Sequence, residues 1–167
     1  YFGSPLVYPK FAVLDPSVMS SLDDRQLANG LVDALVHTCE QFLTYPTTSL
    51  LHDGYALTIL KGLKTLAVDW KNRHEIVWQE NLMLLANQAL NGFIGSGVPQ
   101  DWATHMIGHE ITAFYGLDHA RSLAVVHPQL IRVMMEEKKE KLDLMGKEVF
   151  GVLHNKEIVL EALEYMY

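Results

Sequence analysis

From Pro16 onward, apolar side chains return every three or four residues and seldom alternate. Such spacing gathers them on one stripe of an α-helix but scatters them over both faces of a strand, so it excludes a sheet-based architecture for this part of the chain. Leu27, Leu31, Leu35 and Phe42 form one stripe and predict a helix over about 23–43. The same reasoning predicts helices over about 49–68 and 72–91. The stretch Gly92–Pro99 is the clearest loop, Pro99 opens a fourth helix, and Gly116 ends it through glycine's tolerance of positive φ. Asp118 can cap a fifth helix, with a kink expected at Pro128 because proline lacks the N–H the turn requires. Two further helices are expected over about 138–153 and 155–167. Ahead of them, residues 1–15 read as an extended lead-in, apolar and bounded by prolines, and Asp15-Pro16 is a helix-start signal. The expectation is a compact all-α bundle of about seven helices over 16–167, preceded by the lead-in.

Composition narrows the class of partner. The 167 residues suit one domain with a real core, and 49% apolar against 20% charged residues is the balance of a soluble globular protein. No apolar run reaches the ~18 residues of a spanning helix, and no basic-then-apolar leader opens the chain, so the expected setting is cytoplasmic, without a membrane. Thirteen basic against twenty acidic residues leave a net charge of −7, which argues against a nucleic-acid partner. Lys138, Lys139 and Lys141 are interleaved with Glu136, Glu137 and Glu140, a mixed run that reads as a solvated helix face. Cys39 is the single cysteine, so neither an internal disulfide nor a multi-thiolate zinc site is available, and it is expected to be a small buried residue. The chain begins at Tyr1 without an initiator Met and stops at Tyr167 within a helical pattern, as expected of one domain of a longer polypeptide.

Histidine carries the chemical interest. His105, His109, His119 and His127 crowd into one short region, and His37 follows Asp33 by one helical turn. Residues four apart share a helix face, so Asp33/His37 and His105/His109 are each able to offer two metal ligands from one element. Periodicity does not decide the matter. With Leu31 at the origin and about 100° per residue, Asp33 and His37 fall near about 200° and 240°, beside Glu40 and Gln41 on the polar side. A solvent-facing Asp–His pair fits that placement, and so does a metal site. Around His105 and His109, the apolar Trp102, Met106, Ile107 and Ile111 demand a buried partner or a metal for each imidazole.

Several rival signatures fail. The zincin motif needs His-Glu-x-x-His, whereas this chain has His105-Met106-Ile107-Gly108-His109-Glu110. Helical phosphohydrolases need adjacent His-Asp, and here the order is Asp118-His119. Gly95-Ser96-Gly97 continues as Val98-Pro99-Gln100, without the third glycine of a dinucleotide fingerprint, so no cofactor-binding residue is assigned.

Two stretches resemble a known family. Asp15-Pro16 followed by Gly30-Leu31-Val32-Asp33-Ala34-Leu35-Val36-His37-Thr38-Cys39-Glu40-Gln41-Phe42 resembles the first metal-binding helix of iron-containing alcohol dehydrogenases. The region from Asn87-Gln88-Ala89-Leu90-Asn91-Gly92 through Val98-Pro99-Gln100-Asp101-Trp102-Ala103-Thr104-His105 to Gly116-Leu117-Asp118-His119-Ala120 resembles the second half, in wording nearest the NADPH-dependent butanol dehydrogenase and aldehyde reductase branch. The resemblance runs from about Tyr8 to the end of the chain. It implies the helical C-terminal domain of such an enzyme, with metal ligands at Asp33, His37, His105 and His119 and a non-ligating catalytic histidine at His109. One departure is that Asp118 precedes His119 where the family usually has proline. The resemblance further implies Fe²⁺ or Zn²⁺ as the metal, NADP or NAD in the full-length enzyme, a small alcohol or aldehyde substrate, a nucleotide-binding domain in the same parent chain, and a homo-oligomer. A domain of this kind alone is expected to be inactive. The alternative is a metal-stabilised helical domain without catalysis, serving assembly or regulation.

Overall fold

The computed structural model describes residues 4–46, 49–153 and 155–167. Among the described residues, seven α-helices succeed one another: α1 (Asp24–Phe42), α2 (Leu50–Val68), α3 (Ile76–Ala89), α4 (Ala103–Tyr115), α5 (His119–Val133), α6 (Lys139–Met145) and α7 (Lys156–Glu164). No strand occurs among the described residues. In the expected lead-in, residues 1–3 lie outside the described residues and residues 8–15 form no helix, while Asp15-Pro16 starts a helical turn as expected. Pro5–Val7 forms a 3-10 turn, and Asp15 caps a second one over Pro16–Ser21 by accepting from the Ser17 N–H at 3.0 Å. The α1 helix begins eight residues after Pro16, where the Asp23 side chain accepts from the Gln26 N–H at 2.8 Å.

The predicted stripe is the core. Leu27, Leu31, Leu35 and Phe42 are buried with Leu60 and Leu63 of α2, Trp78 and Leu82 of α3, and Leu142, Met145 and Leu163 from the C-terminal helices. Each such side chain contributes roughly 1.5–3 kcal/mol by leaving water. Trp78 is both buried and satisfied, because its indole N–H donates to the Leu66 carbonyl at 3.1 Å.

Helix starts shift where side chains hold the chain in a turn. Asn72 donates to Asp69 at 2.8 Å within the 3-10 turn Trp70–Asn72, which delays α3 to Ile76. Pro99 does not open α4 either. The Asp101 N–H donates to the Glu40 carbonyl at 3.0 Å, tying the preceding segment to α1, and the Asp101 carboxylate accepts from Ala103 N–H at 3.1 Å. At the other end Gly116 adopts φ 66° and closes α4 as expected. The α5 helix runs on through Pro128, and after α6 a π turn over Gly146–Phe150 precedes Gly151 at φ 73°.

The lysine run is a correction. Lys138 and Lys141 are buried, not solvated. Lys138 Nζ donates to the Asp101 carboxylate at 2.6 Å and to the Leu43 carbonyl at 2.5 Å. Lys141 Nζ reaches Asp53 at 2.5 Å and lies 4.9 Å from the Phe42 ring centroid. Long aliphatic stems let these residues line the core while a partner meets the charge.

Candidate metal centre

The face of α1 opposite the leucine stripe is not a solvent face. It is covered by α4 and α5, which pack on each other and both touch α1. Glu40 is buried there, and Asp33 and His37 are half-buried. Of the two readings open to this face, the solvent-facing pair therefore fails, because α4 and α5 cover the polar side of α1. A small apolar patch of Val32, Val36, Ala120 and Leu123 joins α1 to α5 beside the polar residues. Gly108 permits the close approach of α4 and α5, since a Cβ there would stand 2.9 Å from Leu123 Cδ2 and 3.0 Å from Ser122 Oγ. That approach brings the ring of His119, the first residue of α5, to 5.2 Å from the ring of His105.

Asp33, His105 and His119 each offer a donor atom, all within 4.8 Å of one another. Asp33 Oδ1 lies 3.4 Å from His119 Nε2 and 3.8 Å from His105 Nε2. Donors bound at about 2.0–2.2 Å around one tetrahedral ion stand roughly 3.4 Å apart, so the spacing fits a shared cation. Asp33 Oδ1, His105 Nε2 and His119 Nδ1 are buried without a hydrogen-bond partner, an arrangement that protein interiors otherwise avoid. His37 sits against this group, with Nδ1 3.4 Å from Asp33 Oδ2 and its ring 4.4 Å from that of His105. His109 stacks on His119 at 4.8 Å between centroids and 10° between planes, and its ring lies 6.1 Å from that of His105.

The electrostatics are those of a carboxylate among imidazoles. Burial works against the charge of Asp33, yet His105, His37 and His119 around it hold its carboxyl below the ordinary range. Burial also opposes a charge on His105, but the adjacent Asp33 and Glu40 carboxylates overcome it and push the imidazole up to about 9. His37 and His119 move the other way, chiefly through burial, with Asp33 opposing and His105 reinforcing the shift.

One carboxylate oxygen with imidazole nitrogens is a hard-to-borderline donor set, suited to Fe²⁺ or Zn²⁺ and unsuited to Cu(I). Cys39 takes no part. It is wholly buried, and burial raises its thiol far above the usual range, as its expected packing role requires.

Comparison with known proteins fits this geometry. Residues 27–167 match the model of the Fe-containing alcohol dehydrogenase family, C-terminal. The chain belongs to that family. It is 47% identical over 156 residues to the NADPH-dependent aldehyde reductase YqhD of Escherichia coli, a match spanning 90% of this chain and 39% of that protein. It is 34% identical to NADP-dependent alcohol dehydrogenase 3 of Entamoeba histolytica, spanning 98% of this chain and 43% of the relative. The crystal structure of E. coli YqhD superposes with a TM-score of 0.95 at 43% identity, covering 99% of this chain and 44% of that one. The chain thus spans about two fifths of the length of these relatives.

Of the residues the sequence singled out, Asp33, His105 and His119 come together, His37 adjoins them, and His109 lies at the rim on His119. Three buried polar residues escaped the sequence reading. Glu40 binds His105, Lys138 anchors Asp101, and His127 Nδ1 is bonded to the Tyr167 hydroxyl. Glu40 shares the polar face of α1 with Asp33 and His37, which was its one available signal. His127 and Lys138 have none, because their partners lie 40 and 37 residues away.

Proposed function

We propose that this chain is the metal-holding domain of an alcohol dehydrogenase or aldehyde reductase. In this reading Asp33, His37, His105 and His119 hold one Fe²⁺ or Zn²⁺. A nucleotide-binding domain of the same polypeptide brings NADPH or NADH to a small alcohol or aldehyde. The observation that carries it is the gathering of donor atoms from Asp33, His105 and His119 within 4.8 Å of one another, with Asp33 Oδ1 and His105 Nε2 buried and without a hydrogen-bond partner. Membership in a family of iron-containing dehydrogenases supports the same reading, as do the names of the E. coli and Entamoeba relatives.

The roles follow from position. Asp33 contributes the anionic ligand, and with three neutral imidazoles the ligand set leaves a net charge of about +1 when a dication is bound. A bound cation supplies Lewis acidity toward the substrate oxygen, and the nicotinamide supplies or takes up the hydride at the neighbouring carbon. His109 stands one turn beyond His105, on the exposed side of the cluster and stacked on His119. There it passes a proton to the substrate oxygen during aldehyde reduction, directly or through water, and takes it back during alcohol oxidation.

The test uses the polypeptide that includes the nucleotide-binding domain, assayed as NADPH-dependent reduction of a short-chain aldehyde with Fe²⁺ or Zn²⁺ restored. His109→Ala is expected to keep its metal and lose kcat about 100-fold or more. His119→Ala is expected to lose metal and activity together. Metal lost from His109→Ala, or full activity in His119→Ala, overturns these assignments.

A further inference from the structure

Glu40 is 3% exposed and has no part in the reading above. A carboxylate so placed requires close partners, because removing it from water unpaired is prohibitive. Its two oxygens face different groups. Oε1 accepts from the Thr104 N–H at 2.5 Å and, more weakly, from the His105 N–H at 3.4 Å. Oε2 is bonded to His105 Nδ1.

The first contact is a helix cap supplied from another helix. At the start of α4 the cap position is Trp102, which offers no side-chain acceptor, and Thr104 and His105 belong to the first turn, whose N–H groups have no intrahelical partner. Glu40 satisfies them from α1, and its charge lies at the positive end of the α4 dipole. The backbone N–H of Asp101, just ahead of α4, donates to the Glu40 carbonyl as well. One residue of α1 therefore fixes both the start and the orientation of α4.

The second contact fixes an imidazole. A carboxylate only accepts, so Nδ1 of His105 must carry the proton that joins the two. The other nitrogen, Nε2, is the one with no partner, 3.8 Å from Asp33 Oδ1. A cap alone would need Oε1 and no more; the Oε2 contact has a consequence only for which nitrogen of His105 faces the cluster. We propose that Glu40 is a positioning residue of the metal centre, its carboxylate clamping the first turn of α4 and holding His105 in the Nδ1–H form so that Nε2 is presented to the cation beside Asp33 and His119. This rests on the metal-binding reading above and extends it outward by one layer. A glutamine cannot replace the carboxylate. Its single oxygen serves either the Thr104 N–H or His105 Nδ1, and its NH₂ then confronts a donor at the other place or forces His105 into the opposite tautomer.

The test pairs calorimetric titration of the chain with Zn²⁺ and ¹⁵N NMR of its histidines in the zinc-loaded state. In the wild-type chain the proton of His105 is expected on Nδ1, in a strongly deshielded resonance, with zinc on Nε2. Glu40→Gln is expected to weaken zinc binding about 10–100-fold while far-UV circular dichroism stays helical. Wild-type zinc binding through His105 Nδ1 overturns the proposal, and that spectrum decides the matter even if Glu40→Gln fails to fold. Zinc bound through Nε2 with unchanged affinity in a folded Glu40→Gln overturns the proposal alone. A wild-type chain that binds no zinc overturns the metal reading and this one with it.

Discussion

On one side of α1, Leu27, Leu31, Leu35 and Phe42 meet the rest of the bundle through apolar contact; on the other, Asp33, His37 and Glu40 lie beneath α4 and α5 among histidines. Both sides are enclosed, but they are held by different forces. The leucine side gains from every atom that leaves water and leaves nothing unsatisfied. On the histidine side charged groups lose their hydration, and only part of that loss is restored by hydrogen bonds, since Asp33 Oδ1, His105 Nε2 and His119 Nδ1 have no partner. One side is therefore a source of stability, and the other a place where burial costs stability.

The largest expected effect lies on the leucine side. Phe42→Ala should lower the unfolding free energy of the metal-free chain by about 3–5 kcal/mol, read from urea denaturation, because the ring is buried in the main core. Asp33→Asn should destabilise the metal-free chain far less. Its effect should appear when zinc is added: at a hundredfold excess over Kd the wild type gains about 2.7 kcal/mol, and Asp33→Asn gains little or none. Equal stabilisation of both chains by zinc would erase the distinction between the two sides.

The difference also explains what the sequence could disclose. Helical spacing exposes the leucine side directly, because apolar atoms are buried wherever they form a stripe. It leaves the histidine side open between water and a metal, since periodicity reports polarity and not enclosure. Asp33, His37 and His119 are proposed as metal ligands only through the resemblance of the surrounding stretches, and Gly116, by ending α4, lets α5 turn back so that His119 meets His105. Lys138, Lys141 and His127 are read wrongly or passed over for one reason. Each is buried against a partner distant in sequence: Asp101, Asp53 and Tyr167. Local charge patterning in the Glu136–Lys141 run therefore points to water where the fold supplies a carboxylate. Helix starts slip for a similar reason, as at α4, whose first turn depends on Glu40 more than sixty residues earlier.

A third expectation concerns pH. His127 is buried against Tyr167, and burial, with Lys138 and His105 nearby and Asp101 opposing, pushes its imidazole down to about 3. The unfolded chain then binds a proton that the folded chain refuses. The stability this group contributes is complete above about pH 6.5 and is lost as pH falls from there toward 3, by up to about 1.4 kcal/mol per pH unit. Comparing urea midpoints at pH 7.5 and 5.5, His127→Gln should show a shallower decline than wild type; identical declines would show that His127 is not buried neutral. The smallest effect belongs to the Asp23 cap, which lies on neither side of α1. Asp23→Ala removes the bond to the Gln26 N–H and should cost about 1 kcal/mol, leaving zinc affinity unchanged.

The central claim is that the polar side of α1, closed by α4 and α5, is a metal centre. Anomalous diffraction at the zinc edge from crystals of the zinc-loaded chain tests it most directly. A single ion with Asp33, His37, His105 and His119 at about 2.0–2.2 Å is the predicted result. An ion bound elsewhere on the chain, with these four side chains unligated at saturating zinc, would contradict it.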